Sequence, residues 1–170
     1  NRVSFALRAA KDTREMLPIL LGEIKSTIET DTAAIWLYDP ENNELLPQSI
    51  SGWLAQLPKS KFKPNEGIIG RVFSTGLPHL SNDLADDPQS SSENKNFFGA
   101  NWSGLAIPIR TSLEAIGVIM IARKHPERIE PHQIRLITTL ADIAGNAINR
   151  SSLFQQSEEQ IRRLTTLREI

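Results

Sequence analysis

The stretch EGIIGRVFSTGLPHLSND, residues 66–83, decides how the rest of the chain is read. Gly67, Gly70 and Gly76 punctuate a short apolar run, Pro78 follows the last of them, and no residue in it is an obvious catalytic group. Glycines ahead of a helix N-terminus leave backbone donors free for anions. Their spacing here matches neither a Walker loop nor the dinucleotide fingerprint, and no P-loop lysine follows. The architectural reading is that Gly67 turns the chain into a short helix, Gly70 lets that helix lie close on a sheet, and Gly76 ends it with Pro78 behind. Ile69, Val72 and Phe73 then face a core, and Asn82 and Asp83 open a long loop.

Upstream, Val3, Leu7, Ala10, Arg14, Leu17, Leu21, Ile24 and Ile28 alternate by four and three, the seam of a coiled coil or of a helix laid along a core. Pro18 predicts a break near residues 16–18 and hence two helices, over 2–15 and 18–29. TAAIWLYDPENNELLPQSISGW then reads as a hairpin with strands at 33–38 and 44–50. Downstream, residues 81–103 form a polar loop with an aromatic cluster, Phe97, Phe98 and Trp102; loops this long in a compact domain are functional or mobile. SGLAIPIR and EAIGVIMIARK give a second hairpin, and Pro108 puts the first of its strands at an edge or a bulge. From Pro131 a helical face returns in Ile134, Ile137, Ala141, Ala144 and Ile148, and the apolar spacing continues through Phe154, Ile161, Leu164 and Leu167. Such a helix is on the order of 60 Å long, more than one small domain needs, so part of it is expected to reach another chain or domain. The order predicts an α+β fold: an antiparallel sheet with the N- and C-terminal helices packed on one face and a lid loop on the other.

Composition narrows the chemistry. Apolar residues make up 39% and charged residues 23% of the 170, with a net charge of −1, so neither disorder nor a basic nucleic-acid surface is indicated. There is no cysteine, which removes disulfides, thiolate metal sites, cysteine nucleophiles and thioether-linked chromophores together. No apolar run is long enough to span a bilayer, and a cytoplasmic segment is the expectation. The three histidines, His79, His125 and His132, are not spaced with a further His or Asp as a metal triad would be. A haem could use one of them, His79 foremost; the plain alternative is a solvated histidine. His132, in PHQIRLI, lacks the acid after His and the proline after Arg of a phosphoacceptor segment. No G-x-S-x-G elbow is present, and Asp83, Asp86, Asp87 and Ser90 lack the alternation of a calcium loop. Phe97, Phe98 and Trp102 either plug the open face of the sheet or line a small-molecule pocket under the loop.

Taken together, GIIGRVFSTGLPHLSND, GLAIPI, IGVIMIARK and IEPHQIRLITTLADIAGNAI resemble a GAF domain over residues 16–150, with a signalling helix over 1–15 and a linker helix over 151–170 leading toward a downstream domain. The resemblance implies a sensory or dimerising module of a signalling protein, not an enzyme in itself. Its unknown small molecule would sit among Trp36, Asn82, Asp83, Phe97, Phe98, Trp102 and Leu105, and its homodimer would form through Leu7, Leu17, Leu21, Ile148, Phe154, Ile161 and Leu164. Covalent bilin binding and sulfoxide reduction in this family work through cysteine, which is absent. Cyclic-nucleotide members carry Asn-Lys, then Phe, then Asp-Glu; Arg123 and Lys124, Ile129, and His132 and Gln133 stand there, so only the lysine is kept. The effector in the same polypeptide is open: a histidine kinase, a diguanylate cyclase, a phosphatase or a second GAF domain would each fit. Neither nucleic acid nor membrane is implied as a partner.

Overall fold

The computed structural model describes residues 12–168; Leu7 and most of the expected helix over 2–15 lie outside them. Helix α1, Thr13–Ile28, starts at Asp12, whose carboxylate accepts the Glu15 amide at 3.0 Å. It runs through Pro18, contrary to the expected break. Pro18 and Arg14, whose carbonyl is left without an i+4 donor, are both on the exposed outer side, where water can serve that carbonyl. On the inner side, burial of Met16, Leu17, Leu20, Leu21, Ile24 and Ile28 holds the helix together.

Strands β1 (Ala33–Asp39) and β2 (Glu44–Ser51) form the first hairpin, joined by a turn over residues 40–43 and followed by a 3-10 turn over Gly52–Gln56. Helix α2 is Gly67–Thr75, and Gly76 caps it at φ 69°, a left-handed conformation that favours glycine. Strand β3 (His79–Ser81) leads into the lid segment, which contains a single helical turn, α3 (Ser92–Lys95). Strands β4 (Trp102–Arg110) and β5 (Ala115–Lys124) make the second hairpin, and α4, Pro131–Arg168, closes the chain as one 38-residue helix.

The sheet is antiparallel in the order β2-β1-β5-β4-β3. Its two faces carry separate cores, which explains why β4 and β5 read as almost unbroken apolar runs. Ala33, Ile35, Leu105, Ile107, Ile109, Ile119 and Ile121 face α1 and α4. Ala34, Trp36, Ala106, Val118 and Met120 face α2 and the lid segment. Pro108 pairs with Val118 of β5, but β3 covers β4 only from Gly104 to Ala106, so proline stands where the β4 edge is open, next to a bulge at Ile109 and Arg110. Gly70 departs from expectation: its close approach is to the backbone of Lys63 and Asn65, not to the sheet. The reason is that Asn65 donates to the Gly70 carbonyl at 2.9 Å, folding the 63–66 turn onto the helix.

Candidate functional site

Alternation along the strands builds the lid-side chamber. Trp36 of β1, Ala106 of β4, and Val118 and Met120 of β5 form its floor, all buried. Trp36 is held in place by its indole N–H donating to the Ser60 carbonyl at 2.7 Å. Ile68, Ile69 and Val72 of α2 form one wall, because the helix period turns these three inward. Phe62, bridged to Leu45 through the backbone, forms another. Leu84 and Phe98 close the roof. What remains open is a cavity of about 20 Å³ lined by Leu57, Phe62, Ile68, Ile69, Ser90, Ser91, Asn94, Phe98 and Met120, room for about one water.

The lid is tied down at points far apart in sequence. Buried Asn94 mimics a strand partner: its carboxamide oxygen accepts the Lys59 amide and its nitrogen donates to the Lys59 carbonyl, both at 3.0 Å. The Ser90 hydroxyl donates to the Leu84 carbonyl at 2.8 Å. Asp87 receives the His79 ring nitrogen at 2.7 Å and the Gln89 amide at 2.8 Å. Burial pushes the Asp87 carboxyl up, but these hydrogen bonds outweigh it and hold the group below the ordinary aspartate range. At the entrance to α2, the hydrogen-bonded pair of Lys59 and Glu66 raises the lysine and lowers the glutamate despite partial desolvation of both. Against this bonding, the Ser91 hydroxyl is buried beside the cavity with no partner among the described residues, a free donor and acceptor at its wall.

The residues expected to form the pocket separate into groups. Phe98 lines the cavity, and Trp36 lies in the same core beneath it. Phe97 and Trp102 gather with Phe98 around Trp53, at ring-centroid distances of 5.7, 5.0 and 5.6 Å, and plug the lid side. Asn82 is exposed, and its backbone carbonyl accepts from His125 at 3.0 Å and from the Ser103 hydroxyl at 3.4 Å. Asp83 turns its carboxylate back onto the Ala85 amide at 3.1 Å. Leu105, expected in the pocket, sits instead in the opposite core against α1 and α4, because β4 turns its odd-numbered residues to that face. Leu17, Leu21 and Ile148, expected at a dimer contact, are buried in the same helix-side core, where they hold α1 and α4 to the sheet. Phe154, Ile161 and Leu164 are exposed. Trp53 and Asn94 were missed as organisers of the lid; the only signals were an aromatic directly after a glycine turn in SGW and a lone amide ahead of two phenylalanines in NKNFF. His79, a candidate haem ligand, is committed to Asp87, and among the described residues no group of three or more His, Cys, Asp or Glu side chains could hold a metal.

A family profile for the GAF domain matches residues 10–149. The chain is 25% identical over 172 residues to a Nif-specific regulatory protein of Herbaspirillum seropedicae, covering 96% of this chain and 32% of that protein, so it spans about a third of that relative's length. Among solved structures, the GAF domain of a phosphoenolpyruvate-protein phosphotransferase from Coxiella burnetii superposes with a TM-score of 0.77 at 19% identity, over 91% of this chain and 93% of that one. A free methionine-R-sulfoxide reductase from Neisseria meningitidis, solved in complex with its substrate, gives 0.73 at 16% identity, over 89% and 87%. The α+β fold with its five-stranded antiparallel sheet is the shared architecture, and the profile match covers most of the sequence. The chain belongs to the GAF domain family.

Proposed function

We propose that the chain is a non-catalytic regulatory module of a longer signalling protein, which dimerises through the outer part of α4 and relays a change in the lid-side chamber along that helix to an effector domain. The observation that carries this reading is the change in character along α4. Ile137, Leu140, Ala141, Ala144, Ala147 and Ile148 are buried against the sheet and α1. Beyond Ser151 the helix continues to Arg168 with Leu153, Phe154, Ile161, Leu164 and Leu167 exposed. Phe154, Ser157, Ile161 and Leu164 follow three- and four-residue steps, the spacing of a coiled-coil seam, and a second copy in parallel orientation would cover it. Similarity to a protein named as a regulator supports the signalling role. No helix among the described residues is long and apolar enough to cross a membrane.

The small size of the chamber favours a second reading, a dimeric spacer that takes no ligand. Native mass spectrometry of the chain, followed by a thermal-shift screen with nucleotides, amino acids and small acids, distinguishes the two. A dimer that a ligand stabilises by roughly 2.7 kcal/mol at 100 times its dissociation constant supports the sensor. A dimer that nothing stabilises supports the spacer. A wild-type monomer, or a dimer unaffected by the double substitution Phe154→Glu and Ile161→Glu, refutes the proposed seam.

A further inference from the structure

The uncovered edge of β4, beside α4, carries a larger opening than the lid-side chamber, and opposite charges that do not meet line it. Where β4 leaves the cover of β3, a cleft of about 510 Å³ opens between the end of that strand and α4, within the size range of small-molecule sites. Its floor is Ile107 and Pro108, with Pro78 at one side. Arg110 stands at one wall, its guanidinium anchored by donating to the Gly76 carbonyl at 3.0 Å, which leaves its other donors free. Asp142 and Asn146, one turn apart on α4, form the facing wall, and neither side chain makes a hydrogen bond or ion pair among the described residues. Arg110 has no carboxylate within ion-pair distance either; Glu114 lies in an adjoining cleft on the other side of its side chain. The wall is held close by Gly145, which lies directly against the Arg110 backbone, so a helix–strand contact sets the spacing of the two backbones that carry the charges.

A cation and an anion held apart across an open cleft match a ligand that carries both charges in reverse. We propose that this cleft binds a free α-amino acid, with the carboxylate on Arg110, the ammonium on Asp142 and the side chain directed over Ile107 and Pro108 toward Asn146. The site is distinct from the lid-side chamber: it opens at the uncovered edge of the sheet beside β4 and α4 and shares no lining residue with the chamber. Because the ligand would bridge β4 to α4 beside Gly145, binding there would clamp the long helix to the sheet.

The test is a thermal-shift screen of the whole chain with each proteinogenic amino acid at about 10 mM, followed by calorimetry on the best of them. The expected result is a Tm rise of a few degrees for a subset of amino acids, lost for the N-acetyl derivative, which lacks the cation, and for the amide, which lacks the carboxylate. Arg110→Gln and Asp142→Asn each weaken binding at least about tenfold, as loss of a charged partner does, while the unliganded melting temperature stays within about a degree because both side chains are on the surface. Ser91→Ala, at the lid-side cavity, leaves the affinity unchanged. The proposal is overturned if no amino acid binds, if binding survives both charge substitutions, or if only Ser91→Ala removes it; the last result would place the ligand in the chamber and leave the regulatory reading intact.

Discussion

Gly145 and Gly22 are both helical glycines, and the same substitution to alanine should move stability in opposite directions at the two. By helix propensity alone each change gains up to about 1 kcal/mol. At Gly22, in α1, nothing lies within 4 Å of where the new methyl group would stand, so the gain survives. At Gly145 the methyl carbon would lie 2.8 Å from the Arg110 carbonyl carbon and closer still to its oxygen. The obstacle is strand backbone, so α4 must retreat by about 1 Å, and a gap of that size forfeits a quarter to a half of each dispersion contact it opens. The retreating face carries Ile137, Ala141, Ala144 and Ile148. Overpacking of this kind costs up to about 3 kcal/mol, which less the propensity gain leaves about 2 kcal/mol of net loss. In a chain of this size Gly145→Ala should lower Tm by about 4–8 °C and Gly22→Ala should raise it by about 1–4 °C. Urea and thermal unfolding of the two variants beside wild type measure both. If Gly145→Ala melts at or above wild type, the close packing of α4 on the end of β4 is wrong, and so is the backbone spacing of the cleft beside it.

Asp87 has a folded-state pKa below its unfolded value, so its bonds stabilise the fold at every pH above about 4, and that contribution is lost as pH falls through the folded value. The difference in urea midpoint between wild type and Asp87→Asn should therefore be full at neutral pH and shrink toward zero in acid; a constant difference would show that His79 and the Gln89 amide do not favour the carboxylate. Asn94→Ala removes both hydrogen bonds to the Lys59 backbone and should cost about 2 kcal/mol. Native-state hydrogen exchange at the Lys59 amide should accelerate in that variant, and unchanged exchange would mean that the lid is held elsewhere.

The elements were legible where local chemistry and period agreed. Gly67 and Gly76 bracket α2, the hairpin residues bound their strands closely, and Pro131 opens α4. Pro18 misled because a proline rule counts the lost hydrogen bond without knowing which side of the helix faces water. Leu105 was placed on the wrong face because strand parity inverts with a shift of one residue, and only the pairing with β5 fixes it. The ties on the lid were hidden for a different reason. Asn94 with Lys59 is a contact across 35 positions, and His79 reaches Asp87 only because β3 and the following loop double back. Polar residues in a loop look alike in sequence whether they are solvated or clamped.

The outer part of α4 has the geometry of a lever. Ser151 is the last buried residue on it, and from there to Arg168 about 26 Å of helix stands clear of the body. A tilt of about 5° at the root would carry the far end through about 2 Å, the size of the helix shifts by which switching proteins rearrange their interfaces. The fulcrum is the contact of Gly145 with Arg110, less than two turns before the helix leaves the sheet. A tilt about that contact too small to reshape the core would therefore still displace Arg168 by about the width of such a shift.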